Sequence, residues 1–203
     1  MRVLSLDIST NTGYALLDKE RVCPILWGNV WNEEKVDTFG SYPYSYLKAA
    51  DTIAHKIQRI VERHQPDSIV IEETNKGKNR YSQKILEFIH CRVLDRLNYL
   101  PWQPRIFYIS TSVWRQKVGI ELTKEQKKAN AKLSKAKSKA GGKLTYDQKK
   151  ALGLKGRTTK KHVAIIEVNR RYNLQLLQKD NDIAEAILLG VAFIEGAALA
   201  NGK

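Results

Sequence analysis

The 203-residue sequence has little of what would place it in a membrane, a secretory route or a disulfide framework. No apolar run approaches the roughly 18 residues that a membrane span requires. The opening MRVLSLDIST holds too short an apolar stretch and no small-residue cleavage site, so no secretory signal is expected. Cysteine is scarce. Cys23 and Cys91 lack metal-ligand spacing, and reduced thiols in a cytoplasmic protein are the expectation. His55, His64, His90 and His162 show no mutual spacing that suggests a metal site or a catalytic triad.

Acidic residues are the scarcer charge: 21 Asp+Glu stand against 35 Lys+Arg, a net charge of +14. The excess is concentrated. From Glu121 to Lys161 there are thirteen Lys and one Arg against Glu121, Glu125 and Asp147, which leaves +11 in one fifth of the chain. A dedicated basic segment on a balanced scaffold points to a polyanionic partner, and a phosphodiester backbone is the natural one. Within it, Lys124–Lys150 is nearly free of large apolar residues and is interrupted by Gly141-Gly142. It reads as two polar helices around a hinge, or as a stretch disordered until a polyanion arrives.

With 42% hydrophobic residues the chain can fill an ordinary core, and its length fits one large domain carrying an embellishment. Strand-like runs occupy Val3–Leu6, Tyr14–Leu17, Pro24–Trp31, Ser68–Ile71 and Ile106–Ile109, with a turn over Ser9–Gly13. Apolar residues at helical spacing mark Leu47–Arg63, ended by Pro66, and Ser82–Leu100, ended by Pro101. A short helix follows from Thr111 to Val118. Thr158–Tyr172 is a further helix, and Asp182–Leu199 is a last, largely buried one. This order predicts an α/β fold with a mixed five-stranded sheet, an antiparallel meander followed by βαβ crossovers.

Four carboxylates stand out on that layout. Asp7 ends the run Val3-Leu4-Ser5-Leu6, and Glu72 ends Ile69-Val70-Ile71. Asp182 and Glu185 lie three apart at the start of the last helix. A carboxylate that closes a buried strand is costly unless a cation meets it. Two strand ends and one helical turn presenting four acids together would hold a pair of hard divalent cations. Other readings exist. Asp7 can serve as a turn or capping residue before Ser9-Thr10-Asn11, Glu73 rivals Glu72, and Asp180 rivals Asp182. Acids in a helix's first turn are also ordinary dipole partners.

The same segments resemble a known family. LDISTNTGYALLD (Leu6–Asp18), IVIEETN (Ile69–Asn75) and DIAEAILLG (Asp182–Gly190) are similar, in order, to the acidic motifs of the RuvC-type Holliday junction resolvases, members of the ribonuclease-H-like superfamily. VWRQKVG (Val113–Gly119) resembles that family's basic segment before a glycine. KGRTTKKHVAIIEV (Lys155–Val168) resembles its Gly-Arg-x-x-Lys-x-x-Val helix start. The chain departs in two places: its last acid, Glu185, replaces the more usual Asp or His, and Asn75 stands near the position of an aromatic wedge, with Tyr81 the nearby aromatic.

The resemblance implies one RuvC-like nuclease domain over residues 1–203, with a basic insertion at about 120–155. It implies a metal site of Asp7, Glu72, Asp182 and Glu185 holding two Mg²⁺, replaceable by Mn²⁺, with Lys160 as a catalytic cation that neutralises charge on the phosphoryl oxygens. Arg115, Lys117, Arg157, Lys160, Lys161 and Tyr81 are its candidate nucleic-acid contacts. The implied partner is four-way junction DNA, cut by paired nicks in recombination or repair by a homodimer joined through the helix after Glu72. The implied location is the cytoplasm of a bacterial or phage-infected cell, and the insertion and missing wedge point to a phage or viral branch. Competing classes are a non-catalytic nucleic-acid binder, another ribonuclease-H-like nuclease acting on RNA or DNA, and an actin-like sugar kinase. The last is disfavoured by a length too short for two lobes and by the lack of a second Gly-rich phosphate loop.

Overall fold

The structure, a computed structural model, describes residues 1–73, 80–153 and 156–196, apart from the side chains of Arg80 and Tyr81. The chain opens with a meander of β1 (Arg2–Asp7), β2 (Asn11–Asp18) and β3 (Cys23–Trp31), paired antiparallel. Helix α1 (Tyr44–His64) then crosses to β4 (Ser68–Glu72), which pairs parallel with β1. Helix α2 (Arg80–Asn98) crosses to β5 (Arg105–Ile109), parallel to β4. The sheet order is β3-β2-β1-β4-β5, so β1 is central. Five helices follow: α3 (Thr111–Lys117), α4 (Lys124–Lys139), α5 (Tyr146–Ala151), α6 (Lys160–Tyr172) and α7 (Asn181–Ile194). The expected mixed five-stranded α/β sheet is what the chain forms.

Side-chain alternation along the strands decides where the acids point. Val3 and Val70 face one core, with Ala15, Leu17, Trp114 and the α7 residues Ile187 and Val191. Leu4, Leu6, Ile69 and Ile71 face the other, with Ile53 and Ile57 of α1 and Ile89 and Val93 of α2. Counting by twos from Val3 and from Val70 brings Asp7 and Glu72 to the α7 side. Leu6 lies opposite Ile71 in the parallel ladder, so the two acids close neighbouring strands at the same end of the sheet.

Helix α7 is buried without interruption from Ile183 to Ala192. Two glycines let it come so close. A methyl on Gly13 of β2 would overlap the Asp182 carbonyl and stand 2.9 Å from the Ile183 amide nitrogen. A methyl on Gly190 would overlap Leu17 and stand 2.9 Å from the Ser5 hydroxyl. That hydroxyl, buried in β1, donates to the Ala186 carbonyl at 2.6 Å and so pins α7 to the central strand.

The basic insertion takes the helical alternative. Thr123 with Gln126, and Thr145 with Gln148, each form a capping box that starts α4 and α5 despite their polarity. Gly141 and Gly142 turn the chain between them with positive φ. Asn130 of α4 exchanges two hydrogen bonds with the Thr158 backbone, 2.7 and 3.0 Å, and ties the insertion to the approach of α6.

Three boundaries differ from expectation by three residues or more. β2 already begins at Asn11, because the Ser9 and Thr12 side chains close a tighter turn: Ser9 N donates to Thr12 Oγ1, and Asn11 N to Ser9 Oγ. Helix α1 begins at Tyr44, three residues before its apolar repeat. Helix α7 ends at Ile194 rather than Leu199, closed by Gly196 at φ 82°. Among the described residues no helix is long and apolar enough to cross a membrane, and Cys23 and Cys91 are free thiols.

Candidate metal centre

Three carboxylates converge where β1 ends and α7 begins. Asp7, Asp182 and Glu185 each offer an oxygen, and these oxygens all lie within 4.8 Å of one another. One helical turn separates Asp182 from Glu185 and puts both on the face that α7 turns to the sheet. Glu185 is only 2% exposed. Glu72 stands beside this trio but is held from the other side. Thr111 Oγ1 donates to its Oε1 at 2.6 Å, and the indole nitrogen of the fully buried Trp114 donates to its Oε2 at 2.7 Å.

Crowding and burial act on the acids together. Burial first, then the charges of Glu72, Glu185 and Asp182, push the Asp7 carboxyl well above the ordinary carboxylate range, against the pull of Lys161. Burial also raises Glu72. The Thr111 and Trp114 hydrogen bonds and the Arg115 charge hold it back, while the charge of Glu185 adds to the rise.

Two cations meet part of this charge. Lys161 Nζ lies 2.7 Å from Asp182 Oδ1, 3.2 Å from Glu185 Oε2 and 2.7 Å from Asn181 Oδ1. Burial works to lower the Lys161 ammonium, yet the bond to Asp182 and the charges of Glu185, Asp182 and Asp7 outweigh it and hold it above its usual value. The Arg115 guanidinium pairs with Glu185 Oε1 and lies over the Trp114 ring. Asn11 Nδ2 donates to Asp182 Oδ2 at 2.9 Å. The ion pairs of Arg115 and Lys161 reach Glu185 and Asp182 and stop short of Asp7.

The rivals named from sequence lie elsewhere. Glu73 is exposed beyond the strand end, and the Asp180 carboxylate accepts from the Leu177 amide at 2.8 Å. Lys160 is the exposed first residue of α6, whereas its neighbour Lys161 reaches the acids. Adjacent helical residues point about 100° apart, so the choice turns on one position of helix start. Lys117 closes α3 and Arg157 precedes α6, both exposed and outside the acids' ion pairs. The Tyr81 side chain and Asn75 lie outside the described residues. Sequence reasoning missed Asn11, Thr111 and the Trp114 indole as partners of the acids.

No protein-family model and no curated protein matches this sequence. Solved structures do match its shape. RuvC of Thermus thermophilus, in complex with a Holliday junction substrate, superposes with a TM-score of 0.59 at 12% identity, over 95% of this chain and 92% of that one. A second structure of Thermus thermophilus RuvC gives 0.56 at 11% identity, over 98% and 100%. The chain has the ribonuclease-H-like fold of RuvC-type resolvases. A yeast mitochondrial Holliday junction resolvase of the same fold superposes with a TM-score of 0.50 at 12% identity, over 95% and 78%. In this RuvC-type fold the acids Asp7, Asp182 and Glu185 cluster at the end of the central strand, with Glu72 on the strand beside it.

Proposed function

We propose that this chain is a divalent-metal-dependent endonuclease that resolves four-way DNA junctions by paired nicks. The observation that carries the reading is the convergence of Asp7, Asp182 and Glu185 within 4.8 Å, in a fold shared with a RuvC solved on a Holliday junction. The donor set fits hard cations. It is all oxygen, Glu185 is buried, and Asp7 is left unmet by the neighbouring ammonium and guanidinium. Mg²⁺ or Mn²⁺ suits such a set. Glu72 supplies the fourth carboxylate that a second ion needs.

When bound, such a metal pair neutralises phosphoryl charge and activates a water at neutral pH. The protein's own groups set the rest. Asp7, on the central strand, would be shared by the two ions. Glu72, fixed by Thr111 and Trp114, would hold the ion that activates the water, and Asp182 and Glu185 would complete the ligand set. Lys161 and Arg115, with Lys160 at the same helix start, bring positive charge to the phosphoryl oxygens. Lys117, Arg157 and the lysines of α4 and α5 extend that field along the DNA backbone. A four-way junction is itself two-fold symmetric, so a closed homodimer, with α2 as its interface, places two sites on opposing strands.

A binder that retained the fold without the chemistry would gain phosphate affinity by losing these acids, which favours the nuclease. The test is a panel of labelled four-way junction, linear duplex and RNA–DNA hybrid of the same sequence, with Mg²⁺. Cutting restricted to the junction supports the proposal. Preferential cutting of hybrid or duplex keeps the acids' role and reassigns the substrate, and binding without cutting overturns catalysis.

A further inference from the structure

On the face of the sheet opposite the acids, α1 and the β2–β3 ladder line an open cavity of about 650 Å³. Leu26 of β3, Ile60 of α1 and the Tyr14 ring of β2 form an apolar floor, and Arg59, Arg63 and His64 stand at its rim. Tyr14 keeps its place because β3 carries glycine opposite it. A methyl on Gly28 would stand 2.9 Å from the Tyr14 hydroxyl and 3.0 Å from its ring.

Arg59 and Arg63 are four residues apart on one helix and therefore share the rim. Among the described residues no ion pair engages either of them. The one acid in the lining, Glu62, accepts a hydrogen bond from Gln58 at 2.8 Å. The surplus positive charge acts on its neighbours. Burial, then the charges of Arg63 and Arg2, hold His64 below its ordinary value. Tyr14, raised by burial, is pulled back by Arg63. Complementarity to the helix dipole explains Arg63 and His64 in the last turn of α1. It does not explain Arg59 one turn earlier, nor an apolar floor beneath three basic side chains.

We propose that this cavity binds the phosphate of a nucleotide between Arg59 and Arg63, with the sugar and base over Leu26, Ile60 and Tyr14. Planar guanidiniums present paired donors that match phosphate oxygens, and the Tyr14 hydroxyl adds a further donor. The volume lies in the range of small-molecule sites. The cavity is across the sheet from the acids and does not rest on the nuclease reading. A free nucleotide and a nucleotide within a strand offer the same chemistry, and the test separates them.

The full chain is titrated with deoxyadenosine monophosphate and with inorganic phosphate by calorimetry, and with a labelled oligonucleotide over a salt series. For a free nucleotide, the monophosphate binds more tightly than inorganic phosphate, and Arg59→Ala/Arg63→Ala weakens it at least tenfold. Arg59→Lys/Arg63→Lys, which keeps charge but not the paired donors, recovers only part. For a nucleotide within a strand, the double alanine variant lowers the slope of log K against log salt by about 0.9 for each lost contact. In either case the titrations are run in EDTA, so that binding to the acids through a divalent cation does not contribute. A double alanine variant with native melting temperature that changes neither nucleotide affinity nor the salt slope overturns the proposal. Monophosphate binding no tighter than inorganic phosphate overturns the part assigned to the floor.

Discussion

Gly13 of β2 lies directly against the Asp182 carbonyl, so closely that even a methyl group has no room there. The first turn of α7 therefore sits on bare backbone, and this contact brings Asp182 to Asp7. Gly13→Ala is expected to lift that turn from the sheet and cost about 1–3 kcal/mol of stability, as overpacking does. It should also weaken Mn²⁺ binding by at least tenfold. Calorimetric titration with Mn²⁺ beside thermal melting checks both; an unchanged metal affinity would separate Gly13 from the site.

Thr111 and Trp114 fix Glu72 through both carboxylate oxygens. Thr111→Val keeps the shape and removes one donor, leaving a buried oxygen unmet at a cost of about 1–3 kcal/mol. The hydrogen bond that holds the Glu72 carboxyl down is lost, so its already raised value rises further. The acid limb of the cleavage pH profile should then move to higher pH. A general structural defect would lower activity without moving that limb.

Asp7 is held above the ordinary carboxylate range, so the metal-free folded chain retains its proton to higher pH than the unfolded chain does. The stability of metal-free protein should fall as pH rises from the usual carboxylate value through the raised one, with the penalty complete above it. Divalent cation should reverse the loss. Two carboxylates about 4 Å apart repel by about 4 kcal/mol at an effective dielectric of 20, so Asp7→Asn should melt higher than wild type in EDTA and respond less to Mg²⁺. Melting curves at pH 5 and pH 8, with and without metal, test the sign.

The insertion carries the greater part of the net charge and is tied by Asn130 to Thr158, just ahead of Lys160 and Lys161. If α4 and α5 track DNA arms, replacing residues 124–150 by a short linker should weaken junction binding. It should also flatten the salt dependence by about 0.9 in slope per lost phosphate contact. An unchanged slope would assign the segment to a protein partner.

Much of this was legible in the sequence, for identifiable reasons. Five short apolar runs gave the strands, and an acid closing Val3–Leu6 and another closing Ile69–Ile71 marked one end of the sheet. The three-residue spacing of Asp182 and Glu185 fixed a shared helix face. The partners of those acids were not legible, because each depends on a contact distant in sequence. Trp114 looks like a core residue, and so it is, yet its indole nitrogen reaches Glu72 across 42 positions. Asn11 falls in a turn motif and reaches Asp182 across 171. Between Lys160 and Lys161 the choice follows from where α6 starts, and Thr159 caps that start. The polar insertion left helix and disorder equally open, and the two capping boxes, visible as Thr-x-x-Gln, favour helix.

Junction cleavage is tested most directly by mapping the nicks made in an end-labelled four-way junction by wild type and by Asp7→Asn, each with Mg²⁺ and with EDTA. Paired nicks at symmetric positions in opposing strands are expected from wild type with Mg²⁺, none in EDTA, and none from Asp7→Asn, which should still bind. Tight junction binding by wild type without any nick under Mg²⁺ or Mn²⁺, or cutting that survives EDTA or the loss of Asp7, would contradict metal-dependent junction cleavage at these acids.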